Sequence, residues 1–134
     1  MKKITAIASC LILCAVLLYG CDTKTDYRGW ATWEFINESG HDLKVNGGST
    51  ELNFDLPKGG KHSFKLEYGT GKEIDENTFN SPYDAAITKI TVDGEKEVTK
   101  TGITDRKNYK AVKVEDRHYK YTYTFTDEDF KEEE

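Results

Sequence analysis

Four large aromatics at alternate positions near the end of the chain, Tyr119, Tyr121, Tyr123 and Phe125, constrain this sequence more than any other feature. Lys120, Thr122 and Thr124 fill the positions between them. Side chains of an extended strand alternate between two faces, so the segment predicts a strand with one face on a core and one in water. The alternation recurs upstream. Trp33 and Phe35 alternate with Thr32, Glu34 and Ile36 in a strand ended by Asn37-Glu38-Ser39-Gly40. Leu43 and Val45 form a short strand before Asn46-Gly47-Gly48. Leu52, Phe54 and Leu56 run to Pro57-Lys58-Gly59-Gly60, where proline presets φ and glycine permits positive φ. Phe64, Leu66 and Tyr68 follow. Ala86, Thr88, Ile90 and Val92 predict one face of a strand entering Asp93-Gly94, a pair suited to the type I′ turn of a hairpin. The returning strand from Lys96 to Thr99 then puts Glu97 opposite Ile90, a poor match in polarity. Val112 and Val114 mark another strand. Thr126 followed by Asp127, Glu128 and Asp129 predicts one capped helical turn at the end. Seven or eight short strands with turns every 8–12 residues predict an all-β, antiparallel sandwich or barrel.

The first twenty residues follow a different logic. Lys2 and Lys3 precede an uncharged apolar stretch from Ile4 to Tyr19, too short for a comfortable transmembrane helix, which needs about 20 apolar residues. It fits the apolar core of a signal peptide. Leu18-Tyr19-Gly20-Cys21 resembles the lipobox of bacterial lipoproteins, with a branched apolar residue, a small residue before the cut, and then cysteine. The resemblance implies a diacylglycerol on the Cys21 thiol and cleavage after Gly20. Tyr19 is bulkier than the usual residue at its position. Each buried CH₂ contributes about 0.8 kcal/mol, so two or three acyl chains on one residue attach a protein to a membrane almost permanently. The alternatives are an uncleaved anchor helix and an ordinary secretory signal, which would leave Cys21 a free thiol.

Removal of residues 1–20 takes away Cys10 and Cys14, so no disulfide is expected in the remaining 114 residues. Its 17 basic and 24 acidic side chains give a formal charge of −7. That balance argues against nucleic acid, whose phosphates require clustered Lys and Arg. The expected organisation is a signal peptide over 1–20, a lipidated tether over 21–29, one β domain over 30–130, and an acidic tail over 131–134.

Further motifs carry a second resemblance. Phe35-Ile36-Asn37-Glu38-Ser39-Gly40-His41-Asp42-Leu43, Leu56-Pro57-Lys58-Gly59, and the run from Tyr121 to Phe130 resemble small lipoproteins, without assigned activity, that are abundant in Bacteroidales. The resemblance spans most of the chain after the signal. It implies an immunoglobulin- or transthyretin-like β-sandwich on an outer membrane, and no particular chemistry. Asp22-Thr23-Lys24-Thr25-Asp26 resembles in part the acidic surface-export signal of that group.

Candidate chemistry is sparse. His41, His62 and His118 lie far apart with no spacing that suggests a zinc site. The acids at Glu73, Asp75 and Glu76 and at Asp127, Glu128 and Asp129 lack the pattern of a calcium loop. No nucleophile elbow or phosphate-cradling loop is present. Residues 69–85 form the one long irregular stretch, and loops of this length inside compact domains are usually functional or disordered. Phe79 and Tyr83 are its candidate ligand-binding residues, with a plug for the end of the sandwich as the competing role; Tyr27 and Trp30 are weaker candidates. The expected function is non-catalytic, with no cofactor and no metal. It is a membrane-tethered module holding a glycan or a protein partner, or alternatively an assembly subunit of an envelope or pilus-like complex.

Overall fold

A computed structural model describes residues 27–132; the signal peptide, Cys21 and most of the expected tether lie outside them. Eight strands follow in chain order: β1 (Tyr27–Asn37), β2 (Leu43–Asn46), β3 (Phe54–Leu56), β4 (Lys61–Thr70), β5 (Lys89–Val92), β6 (Lys96–Val98), β7 (Lys110–Glu115) and β8 (His118–Phe125). They form two four-stranded sheets, ordered β4-β1-β8-β7 and β3-β2-β5-β6. The all-β expectation is met.

The alternation selects the inner faces as expected. Ala31, Trp33 and Phe35 of β1 lie fully buried beside Tyr119, Tyr121 and Tyr123 of β8, in register. Trp33 stacks on Tyr121 with ring centres 4.6 Å apart, and Phe35 of the first sheet meets Phe54 of the second at 5.2 Å. One aromatic core therefore joins both sheets.

The expected uniform antiparallel pairing does not hold. β1 and β8 run parallel. Hairpin-linked neighbours must be antiparallel, but all of the second sheet intervenes between these two strands, so no tight turn dictates their relative direction. The β5–β6 register also differs by one residue from the sequence expectation. Asp93 and Gly94 adopt φ of 53° and 71°, as a type I′ turn requires. One extra residue, Glu95, then sets Val98 opposite Ile90 and Glu97 opposite Thr91, which removes the polarity mismatch.

Other boundaries move for local reasons. β1 starts inside the expected tether, because a buried Gly29 lets Ile74, Phe79 and the Arg117 carbonyl approach where a Cβ would clash. Ala86 and Thr88 precede β5 rather than lying in it. The Asp84 carbonyl accepts the Ile87 and Thr88 N–H groups, closing a turn. Asn37 ends β1 as a buried hub: its amide donates to the His41 and Leu56 carbonyls and accepts from the Ser39 N–H and hydroxyl. The final turn over Asp127–Phe130 is 3₁₀, with the Asp129 carboxylate accepting the Thr126 N–H at 2.8 Å.

Candidate functional site

Phe79 and Tyr83 do not form a surface platform. They are 2% and 3% exposed, packed against Tyr68 and Phe35 respectively. Tyr83 donates its hydroxyl to the Leu52 carbonyl at 3.1 Å, and burial raises its pKa far above the ordinary phenol range. The irregular segment, here residues 71–88, thus supplies core side chains, the competing role weighed above. Tyr27 and Trp30 are half-buried in β1; Arg117 lies over the Tyr27 ring and Lys65 over the Trp30 ring.

Toward one side this segment presents polar side chains. It faces the 99–109 segment across a cleft of about 780 Å³. Asn77, Asn80 and Ser81 line one wall, and Thr104, Asp105, Arg106 and Lys107 the other. The walls are tied to the core and to each other. Tyr121, itself fully buried, donates its hydroxyl to the Glu76 carbonyl at 2.8 Å. Burial pushes that phenol up to about 12. The Arg106 guanidinium lies 5.0 Å over the Tyr121 ring, and its Nη2 donates to the Glu76 carbonyl at 2.7 Å and to Asn77 Oδ1 at 3.0 Å. Ser81 donates to the Ile103 carbonyl, as does Tyr109, which is 4% exposed. The Asp105 carboxylate accepts the Lys107 backbone N–H at 2.9 Å, capping a short turn.

A second feature lies at the edge of the first sheet. β7 pairs only with β8, so one side of its backbone is unpaired. Val112 and Val114 are 49% and 53% exposed, two of the three large exposed apolar side chains among the described residues. The strand was expected, and its valines are exposed: Val112 pairs with Lys120 on the outer face of β8, while Ala111 pairs with the buried Tyr121. An irregularity between Lys113 and Glu115 turns Val114 away from the regular ladder.

The groups that might have carried chemistry are otherwise engaged. Ser39 Oγ donates to Asn37, and His41 Nδ1 faces Asp93 Oδ2 at 2.6 Å rather than a hydroxyl. His62 stacks on Phe54 at 4.1 Å, and His118 bonds the Thr32 hydroxyl at 2.8 Å. Asp75 accepts from Asn77 N–H and the Thr78 hydroxyl, shaping a turn. Among the described residues no three His, Cys, Asp or Glu side chains converge as metal ligands would.

No known protein family matches the chain, and neither a curated protein nor a solved structure shows significant similarity to it. The cleft borders the irregular segment singled out in the sequence, and Phe79 and Tyr83 are not among the residues that line it. Arg106 carried no signal in the sequence, since its position depends on a ring fifteen residues away in β8.

Proposed function

We propose that this chain is a lipid-anchored protein of a bacterial envelope, attached to the outer membrane through Cys21, whose domain engages a protein partner by strand addition at β7. The domain is a β-sandwich of immunoglobulin- or transthyretin-like build, and its role is non-catalytic. The observation that carries the reading is the unpaired edge of β7 with Val112 and Val114 half-exposed beside it. Strand addition draws affinity from main-chain hydrogen bonds and specificity from alternate side chains, and β7 offers both. Lys110 and Lys113 are the kind of edge charge that discourages pairing with a second copy while accepting an acidic or polar strand. Of the two classes of partner expected from the sequence, the β7 edge suits the protein, and Phe79 and Tyr83 are buried rather than exposed for stacking on a sugar.

The anchor and the edge are tested separately. Cys21→Ser is expected to abolish membrane attachment and leave the signal uncleaved; a membrane-bound mutant of wild-type mature size overturns the lipoprotein assignment. A photo-cross-linking residue at position 112 or 114 is expected to give one discrete adduct in intact cells, absent from the same probe at Ser63 on β4 and lost in V112D/V114D. Equal cross-linking from position 63 and position 112 overturns strand addition at β7.

A further inference from the structure

We propose that the polar cleft binds an acidic saccharide, with the sugar carboxylate held by Arg106 and Lys107. The site is separate from the β7 edge and does not depend on it. Its lining contains no apolar side chain: two amides, two hydroxyls, one carboxylate and two cations face the space. A lipid chain or an apolar peptide side chain would meet no apolar side chain there. A polyhydroxylated ligand matches donors and acceptors of this kind, and the volume falls within the roughly 300–1,000 Å³ typical of small-molecule sites.

The charge selects among saccharides. Neutral sugars draw much of their affinity from stacking on exposed rings, and the rings of this segment are buried. Arg106 and Lys107 leave the lining with one net positive charge in a chain of formal charge −5. The one carboxylate of the lining, Asp105, accepts the Lys107 backbone N–H within its own turn.

The donors are placed and unspent. Arg106 commits Nη2 to the facing wall and is held over the Tyr121 ring, so its remaining N–H groups keep a fixed direction. A guanidinium held in this way suits the two oxygens of a carboxylate, and little rotamer entropy remains to be lost. Asn77 accepts from Arg106 through Oδ1, which leaves its amide nitrogen to donate. The side chains of Asn80 and Lys107 have no hydrogen-bond or ionic partner among the described residues. They are available to a ring hydroxyl and to the carboxylate.

The test titrates the full chain in detergent micelles, ¹⁵N-labelled, with digalacturonate, with lactose as a neutral disaccharide, and with acetate. Digalacturonate is expected to shift the amides of residues 77–81 and 104–107 saturably, with Kd on the order of 1 mM. Lactose and acetate are each expected to bind at least about tenfold more weakly. Lys107→Ala and Asn80→Ala, exposed positions whose loss leaves the core intact, are expected to weaken digalacturonate about tenfold without moving the melting temperature. Equal binding of lactose removes the role of charge; equal binding of acetate removes the saccharide; absence of saturable shifts, or unchanged affinity in Lys107→Ala, removes the site. V112D/V114D is expected to leave this titration unchanged, so the failure of either proposal is read independently of the other.

Discussion

Truncating Tyr121 to alanine is the most incisive perturbation of this fold, because one side chain joins the β1–β8 pairing, the core and the cleft wall. Its ring is fully buried and stacked on Trp33 at 4.6 Å, with Arg106 over it and Phe79 at its edge. Removing a buried aromatic from a core costs about 3–5 kcal/mol, and loss of a specific ring pair about 1 more. The Glu76 carbonyl also loses the tyrosine hydroxyl, a further loss of about 1 kcal/mol. The total is about 5–7 kcal/mol, against a whole-domain stability of about 5–15. Tyr121→Phe isolates the hydroxyl and is expected to cost only about 1 kcal/mol. Thr122→Ala, one residue away on the opposite face, loses a 3.3 Å bond to Glu34 in a half-exposed position and is expected to cost less than about 1 kcal/mol. Urea melts of a soluble form beginning at residue 22 compare the three. If Tyr121→Ala is as mild as Thr122→Ala, the tyrosine face does not lie on the core, and the fold argument and the cleft built on that residue both fail. The alkaline limb gives an independent reading. Burial raises the Tyr121 pKa to about 12, so its contribution is complete below the ordinary phenol value near 10 and is lost as pH rises through 12. Tyr121→Phe should remove that part of the alkaline loss.

Asp93 offers the opposite sign. The His41 ring N–H, then the Asp42 backbone N–H, hold its carboxyl below the usual range. Its contribution is therefore present above about pH 4 and lost as pH falls through the lower folded value. Asp93→Asn keeps a residue that tolerates φ of 53°, so the urea midpoints of wild type and mutant should differ at neutral pH and converge in acid; a difference that persists undiminished to about pH 2 refutes the clasp. Chelator treatment is expected to leave the melting temperature unchanged. A fall of more than about 5 °C, on the order of 1 kcal/mol, would instead point to a metal held by the histidines or carboxylates.

The cleft shows where sequence reading stops. Length and glycine content marked the 69–85 stretch as a loop, and its polar residues were visible. Nothing local distinguished Phe79 and Tyr83 as core from the same residues as platform, because a loop has no period to assign its side chains to a face. Arg106 and Lys107 read as ordinary surface charge in Thr104-Asp105-Arg106-Lys107-Asn108. Their chemistry arises from the packing of that turn against residues 76–81 and Tyr121, segments with no sequence spacing in common.

What the chain determined by itself was everything governed by neighbours within a few residues. Period-two alternation chose the buried faces of β1, β2, β3 and β8, since a one-residue slip would turn each apolar set into water. Asp93-Gly94 determined a turn because few residues adopt positive φ at low cost. Tertiary structure alone decided the parallel contact of β1 with β8, the outward valines of β7, the inward rings of Phe79 and Tyr83, and the stacking of Arg106 on Tyr121. Each of these joins segments far apart in the chain. Their pairing follows from which surfaces remain to be covered after the local elements have formed, and that is a property of the assembled core rather than of any stretch within it.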